Sequence, residues 1–367
     1  MIKILRKQGD FRLYYQDISW NKQDCLNFSP DQFLPNWLNK VIEFCKEWWS
    51  EQEIFNFQTS GSTGTPKIIS VNRRQLLASV QLTQKAFQLK GGEVALLCLP
   101  TEFVAGKMML VRGMELCWHI ILQEPTSNPL QNLEVNRKID FAAFVPLQMQ
   151  TILEQNPEKI HKLFHKQSTI ILGGASISDT LRKNIEKLKV PIFHTYGMTE
   201  TLTHIAICAL NGKAKSDYFT TLEQVRVRTD ERNCLCITSP TTDFQEIATN
   251  DVVEILGEGK FRVVGRWDNV INSGGVKIQL ENVEKIIEKV FELENIHNRF
   301  FCIGVPDEKL GQKLVLCVEN ALWSVEKEQK ILTQIAKFSE NKYYVPKSIV
   351  YKSHFEQTPT GKIKRIL

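Results

Sequence analysis

No run in this sequence comes near the roughly 18 consecutive apolar residues that a membrane-spanning helix requires. The opening Met1-Ile2-Lys3-Ile4-Leu5-Arg6-Lys7 lacks the apolar centre of a secretory signal. A cysteine framework is missing too. The nine cysteines are odd in number and scattered from Cys25 to Cys317, several inside apolar runs such as Val94–Leu99. Buried reduced thiols and a cytoplasmic setting are expected. Cys234-Leu235-Cys236 has strand spacing and no second pair, which argues against a metal knuckle. There is little excess charge of either sign. The net charge is +5, and lysines alternate with acids between Glu281 and Glu294, so these are solvated faces and not a nucleic-acid stripe. The Walker phosphate motif is also absent, because Pro66 precedes Lys67 and Ile68 follows it.

What is present describes a globular protein. At 367 residues the chain exceeds the size at which one core stops growing, so two domains are expected. Apolar strand-like runs recur at Val94–Leu99, His119–Leu122, Phe141–Val145, Thr169–Leu172 and Ile192–Thr195, mostly with polar or helical segments between them. Two such helices are Arg73 to Lys90 and the stretch marked by Leu181, Ile185 and Leu188. This alternation predicts an α/β fold with a mostly parallel sheet, whose ligands gather at the carboxyl ends of the strands. Trp37, Phe44, Trp48 and Trp49 read as helical core residues. Val252–Leu256 and Phe261–Val264, joined by Gly257-Glu258-Gly259-Lys260, read as a hairpin. The last hundred residues read as a small α+β domain. A helical stripe (Val283, Ile286, Ile287, Val290) is followed by strands at Phe300–Val305 and Leu314–Val318, a helix near 326–339 and a strand at Ser348–Tyr351.

The densest chemistry lies in Thr59, Ser60, Gly61, Ser62, Thr63, Gly64, Thr65, Pro66 and Lys67. Glycine lets backbone N–H groups approach an anion, the hydroxyls add donors and Lys67 adds a point charge, which together suit a polyphosphate. Gly173, Gly174, Ala175 and Ser176 follow the strand Thr169–Leu172. Their small side chains serve either a flat base lying on backbone or a tight turn in which Ser178 caps the next helix. Tyr196, Gly197, Met198, Thr199, Glu200 and Thr201 follow the strand Ile192–Thr195. They offer an aromatic face, a hydroxyl for phosphate and a carboxylate suited to Mg²⁺.

These segments resemble the phosphate-binding loop and later signatures of the adenylate-forming superfamily, which contains acyl- and aryl-CoA ligases, adenylation domains and luciferases. Five signatures occur in order over residues 59–362. The resemblance implies that Asp251 accepts the ribose hydroxyls of ATP, although Thr249-Asn250-Asp251 replaces the usual Thr-Gly-Asp. It implies ribose and phosphate contacts for Arg266, a nucleotide contact for Lys277, a hinge at Asp268 and a coenzyme A path over Gly274 and Gly275. In Pro359-Thr360-Gly361-Lys362 it implies a catalytic lysine, Lys362, with Thr199 and Glu200 as its partners in catalysis and Glu200 as the Mg²⁺ ligand. The implied domains are a large ATP- and acyl-binding domain, 1–267, and a small mobile one, 268–367. The compact length, Leu99-Pro100-Thr101-Glu102-Phe103-Val104-Ala105-Gly106-Lys107-Met108-Met109 and Asp268-Asn269-Val270-Ile271-Asn272-Ser273-Gly274-Gly275 are most similar to the short bacterial o-succinylbenzoate–CoA ligases of menaquinone synthesis. The expected partners are ATP, Mg²⁺, coenzyme A and a carboxylic acid. Lys107 and Arg112 are candidates for the acid's second carboxylate, or else ordinary helix-surface charges. The alternatives are a ligase for another aryl or fatty acid, and a non-catalytic ATP-binding module. Retention of Glu200, Arg266 and Lys362 speaks against the latter.

Overall fold

The computed structural model describes residues 1–2, 4, 9–58, 67–339, 341–357 and 363–367. The phosphate-loop candidates Thr59, Ser60, Gly61, Ser62, Thr63 and Gly64, and the lysine candidate Lys362, lie outside the described residues. Internal contacts divide the chain into two units. The first is Met1–Val227 with Ile237–Ile247 and Gly257–Lys260, and the second is Arg228–Cys236, Ala248–Leu256 and Phe261–Leu367. The expected boundary at 267/268 thus falls inside the second unit's continuous stretch.

In the first unit a hairpin, β1 (Arg12–Tyr15) and β2 (Ile18–Asn21), precedes helices α1 (Lys22–Leu26) and α2 (Asn36–Trp48). Strands β3 (Ile54–Gln58) and β4 (Ile68–Asn72) pair antiparallel with Gln58 opposite Ile68, so the residues flanking the phosphate-loop candidate are held side by side. Helix α3 (Arg73–Phe87) starts at a capping box, in which Asn72 and Gln75 exchange side-chain and backbone hydrogen bonds of 2.9 Å. It stops short of the expected Lys90 because Gln88 turns left-handed, with φ of 53°. The expected alternation follows as β5 (Val94–Leu97), α4 (Val104–Glu115), β6 (His119–Leu122), β7 (Ile139–Phe144), α5 (Pro146–Gln155), α6 (Glu158–Leu163), β8 (Phe164–Leu172), α7 (Asp179–Glu186) and β9 (Ile192–Gly197). Strands β10 (His204–Ala209) and β11 (Phe219–Thr221) close the series.

Their order across the sheet is β11-β10-β9-β8-β7-β5-β6-β1-β2. Neighbours from β9 through β1 are parallel, and the pairs at both edges are antiparallel. All four residues of β5 and of β6 are buried, which is the run expected of a parallel strand covered on both faces. Trp48, Phe55, Leu76, Met109, Trp118 and Phe141 are among the residues of the core beneath the helices.

Strands β12 (Arg226–Thr229), β13 (Cys234–Thr238), β14 (Ile247–Gly257) and β15 (Lys260–Arg266) lie side by side in that order. In the second unit β16 (Val270–Ser273) and β17 (Val276–Gln279) form a hairpin, followed by α8 (Leu280–Leu293), β18 (Phe300–Asp307), β19 (Gly311–Glu319), α9 (Val325–Phe338) and β20 (Ser348–Lys352). The sheet runs β17-β16-β19-β18, with β20 parallel to β19. Val283, Ile287 and Val290 of α8 pack with Ile331 and Ile335 of α9 in this unit's own core. The molecule is therefore α/β with a large sheet and a separate, smaller α+β region. Among the described residues no helix is long and apolar enough to cross a membrane.

Candidate active site

The sequence places Gly173 to Ser176 directly after β8 and Tyr196 at the end of β9. The structure makes these strands parallel neighbours, with Leu172 opposite His194. Both motifs therefore sit at the carboxyl edge of the sheet. Thr195 Oγ1 donates to Leu172 O at 3.0 Å, and His194 Nε2 lies 3.1 Å from Ala175 O, so the turn is tied to β9 by side chains. Burial, only partly offset by the Ala175 bond, lowers the His194 imidazole to about 4, leaving it neutral near pH 7. Ser178 Oγ accepts Leu181 N–H at 3.1 Å, so the residue after this turn caps α7 as expected.

Tyr196 runs opposite Ala206 on β10, its ring 5.7 Å from that of Phe219. Gly197 is required by space: a Cβ there would lie 2.2 Å from Thr203 O. Thr199, Glu200 and Thr201 form one 3₁₀ turn, with the Glu200 side chain exposed. Leu202 follows it, buried and left-handed with φ of 61°, an unfavourable conformation for leucine. Thr201 holds that strain. Its Oγ1 accepts Met198 N–H at 3.1 Å and lies 2.9 Å from Thr203 O. Among the described residues no group of three or more His, Cys, Asp or Glu side chains is placed to hold a metal. The exposed Glu200 carboxylate is a hard oxygen donor of the kind Mg²⁺ takes, and would fit as one of its ligands.

Lys107 and Arg112 both lie on α4 but have different surroundings. Lys107 Nζ donates to Asn56 O at 3.1 Å and lies 5.1 Å from the Phe44 and Phe57 rings. Arg112 is no surface charge, being only 3% exposed. Its Nε donates to Thr83 Oγ1 at 3.1 Å and its Nη2 to Thr203 Oγ1 at 2.6 Å. His204 bridges the same two hydroxyls, Nδ1 to Thr203 at 3.2 Å and Nε2 to Thr83 at 3.3 Å. One turn earlier on α3, Ser79 Oγ is buried with no hydrogen-bond partner among the described residues. Burial lowers the guanidinium to about 9, and among the described residues no carboxylate forms an ion pair with it. Sequence reading missed Ser79, Thr83, Thr203 and His204. The available signal was two hydroxyls four residues apart inside the apolar stripe of α3.

Within the second unit, Asp251 on β14 is 15% exposed at its side chain and sits 3.5 Å from Arg266 Nη1. Arg266 also forks onto Asp268, Nη2 to Oδ2 at 2.7 Å and Nε to Oδ1 at 3.2 Å. Partial burial raises the Asp268 carboxyl, but the Arg266 bonds and charge outweigh it and hold the group below its ordinary range. The ribose candidate, the arginine and the hinge candidate thus form one cluster. Lys277 Nζ lies over the Trp267 ring at 5.5 Å. Gly274 and Gly275, with φ of 60° and 82°, make the two-residue turn between β16 and β17, so hairpin geometry by itself gives a reason for this glycine pair.

Comparison with known proteins places the fold in a family. Residues 9–231 match the family model described as AMP-binding enzyme. A crystal structure from Dyadobacter fermentans, titled acyl-CoA synthetase (AMP-forming)/AMP-acid ligase II-like protein, is 41% identical. It covers 94% of this chain and 96% of its own, with a TM-score of 0.62. The 2-succinylbenzoate–CoA ligase of Escherichia coli is 26% identical over 297 residues, 77% of this chain and 62% of that enzyme. The chain thus spans less than two thirds of that relative's length. The o-succinylbenzoate coenzyme A synthetase of Bacillus subtilis, solved with ATP and a magnesium ion, is 18% identical with a TM-score of 0.67, covering 84% of this chain and 68% of its own. With its family match covering more than half its length, the chain belongs to the AMP-binding enzyme family.

Proposed function

We propose that the protein is an AMP-forming acid–CoA ligase whose acid carries a second carboxylate, with o-succinylbenzoate the substrate that fits best. In the first step an oxygen of the substrate carboxylate attacks the α-phosphorus of ATP, and pyrophosphate leaves with the bridging oxygen. In the second, the thiol of coenzyme A loses its proton and attacks the acyl carbonyl. The C–O bond breaks and AMP departs. Gly173 to Ser176, Tyr196, Gly197 and Met198 serve the adenine end, Thr199 and the 59–67 segment the phosphates, and Asp251 with Arg266 and Lys277 the ribose side. Glu200 would hold Mg²⁺, which neutralises phosphate charge when bound. Lys362 is assigned to the adenylation step, Asp268 to the hinge, and Gly274 and Gly275 to the coenzyme A arm. The proposed domains remain 1–267 and a moving 268–367.

The observation that carries the substrate class is Arg112. A buried guanidinium whose partners among the described residues are two hydroxyls and the Met109 sulfur is costly to fold, because a charge without a counter-ion has been taken out of water. A substrate carboxylate would supply the counter-charge. The family relatives named for 2-succinylbenzoate support the same class. The test is a panel of carboxylic acids scored by pyrophosphate release with Mg·ATP. The expected result is turnover of o-succinylbenzoate with little of benzoate or medium-chain fatty acids. Equal turnover of benzoate would refute it.

A further inference from the structure

Asn250 stands where the resemblance leads one to expect glycine, and the structure gives that departure a use. Asn250 lies within β14 and is not among the residues of positive φ, so this backbone has no need of glycine. Its side chain serves instead as an acceptor. Arg232 Nη1 donates to Asn250 Oδ1 at 3.1 Å, and Arg232 Nη2 donates to Thr249 O at 3.2 Å. Thr249 in turn accepts the N–H of Asp251 on its buried Oγ1 at 3.0 Å. The same guanidinium is anchored at its other edge. Its Nε donates to Asp230 Oδ2 at 2.9 Å, and Asp230 is itself fixed by the Arg232 and Cys234 N–H groups at 2.8 and 2.9 Å. Its flat face lies 5.9 Å from the Trp267 ring, which Lys277 also contacts. Trp267 is flanked by Arg266 and Asp268, the pair already joined to Asp251.

One arginine therefore touches three chain segments around the ribose candidate: the turn at 230–234, the strand leading into Asp251, and the ring between Arg266 and Asp268. We propose that Arg232 is a positioning residue for nucleotide ribose recognition, aiming Asp251 through Thr249 and Asn250. The proposal rests on the reading of Asp251 as acceptor of the ribose hydroxyls. Lysine cannot replace the arginine, because a single ammonium cannot span Asp230, Thr249 and Asn250 as a planar fork does.

The test compares ATP with 2′,3′-dideoxy-ATP, which lacks the hydroxyls, by calorimetry on the full chain. The wild type is expected to prefer ATP by about tenfold or more, and Asp251→Ala to abolish the preference. Arg232→Met and Arg232→Lys should each lower the preference by about three- to tenfold, with dideoxy-ATP affinity unchanged within about twofold. Asn250→Gly should move it the same way by less, and it carries the test if the arginine variants do not fold. Equal weakening of both nucleotides would make Arg232 a general structural residue and overturn the proposal. So would an intact preference in folded Arg232→Met beside a lost one in Asp251→Ala. An intact preference in Asp251→Ala would instead refute the ribose reading, and the proposal with it.

Discussion

Replacing Arg112 by methionine separates two properties that the native side chain combines. The guanidinium is 3% exposed, has hydroxyl partners in Thr83 and Thr203, and forms no ion pair among the described residues. Replacing buried ion pairs by apolar side chains of similar volume is often neutral or stabilising, by about 1–4 kcal/mol, and a buried charge without an ion-pair partner has less attraction to lose. Thr83 and Thr203 would keep His204 as a shared partner, so the substitution strands neither hydroxyl. Function should move the other way. A charge-assisted hydrogen bond to the acid's second carboxylate contributes about 1.5–3 kcal/mol, so kcat/KM for o-succinylbenzoate should fall roughly 10- to 150-fold. Benzoate, which has no second carboxylate, should lose nothing. The assays are thermal unfolding beside pyrophosphate release with both acids. A lower melting temperature together with an unchanged ratio between the two acids would make Arg112 a structural residue and refute the substrate-class assignment.

Other expectations follow from individual residues. Lys362→Ala should cut pyrophosphate release from acid and ATP by about 10²–10³, yet still convert synthetic acyl-adenylate and coenzyme A to thioester near the wild-type rate. Equal slowing of both steps would contradict domain alternation. His194 titrates near 4 in the fold against an ordinary 6.5, so the unfolded chain binds its proton first as pH falls. Its contribution to stability is complete above pH 6.5 and is lost as pH drops toward 4. His194→Gln should flatten that acid decline by on the order of 1–3 kcal/mol in denaturant titrations. An identical acid slope in the variant would contradict it. Gly197→Ala forces a Cβ to within 2.2 Å of Thr203 O and should destabilise the protein by roughly 1–3 kcal/mol on thermal unfolding. An unchanged melt would show that the 197–204 segment yields more easily than its bonds indicate.

Much of the fold was legible because parallel strands declare themselves as continuous apolar runs. Val94–Leu97 and His119–Leu122 are buried on both faces, and the sequence shows it. β8 was read only from Thr169, since His165, Lys166 and Gln167, between buried Phe164 and Ser168, carry no apolar pattern. The hairpin β1–β2 and the antiparallel strands β10 and β11 were not foreseen. β1, β2 and β11 are only three or four residues long, too short to show a pattern, and the place of β1 in the sheet depends on a partner distant in the chain, Arg12 with His119. For the site, the Gly173 and Tyr196 motifs were legible as neighbours at strand ends. The setting of Arg112 was not, because its partners Thr83 and Thr203 come from separate segments that only the packed fold brings together. Arg232 was hidden for the same reason, its role resting on Thr249, Asn250 and Trp267.

The most direct measurement follows the oxygen. o-Succinylbenzoate labelled with ¹⁸O in its carboxylates, turned over with Mg·ATP and coenzyme A, should deliver one labelled oxygen per turnover to the phosphate of AMP and none to pyrophosphate. That result requires the carboxylate to have attacked the α-phosphorus and its C–O bond to have broken on thioester formation. Label found in inorganic phosphate with ADP, or unlabelled AMP beside thioester, would contradict an acyl-adenylate route.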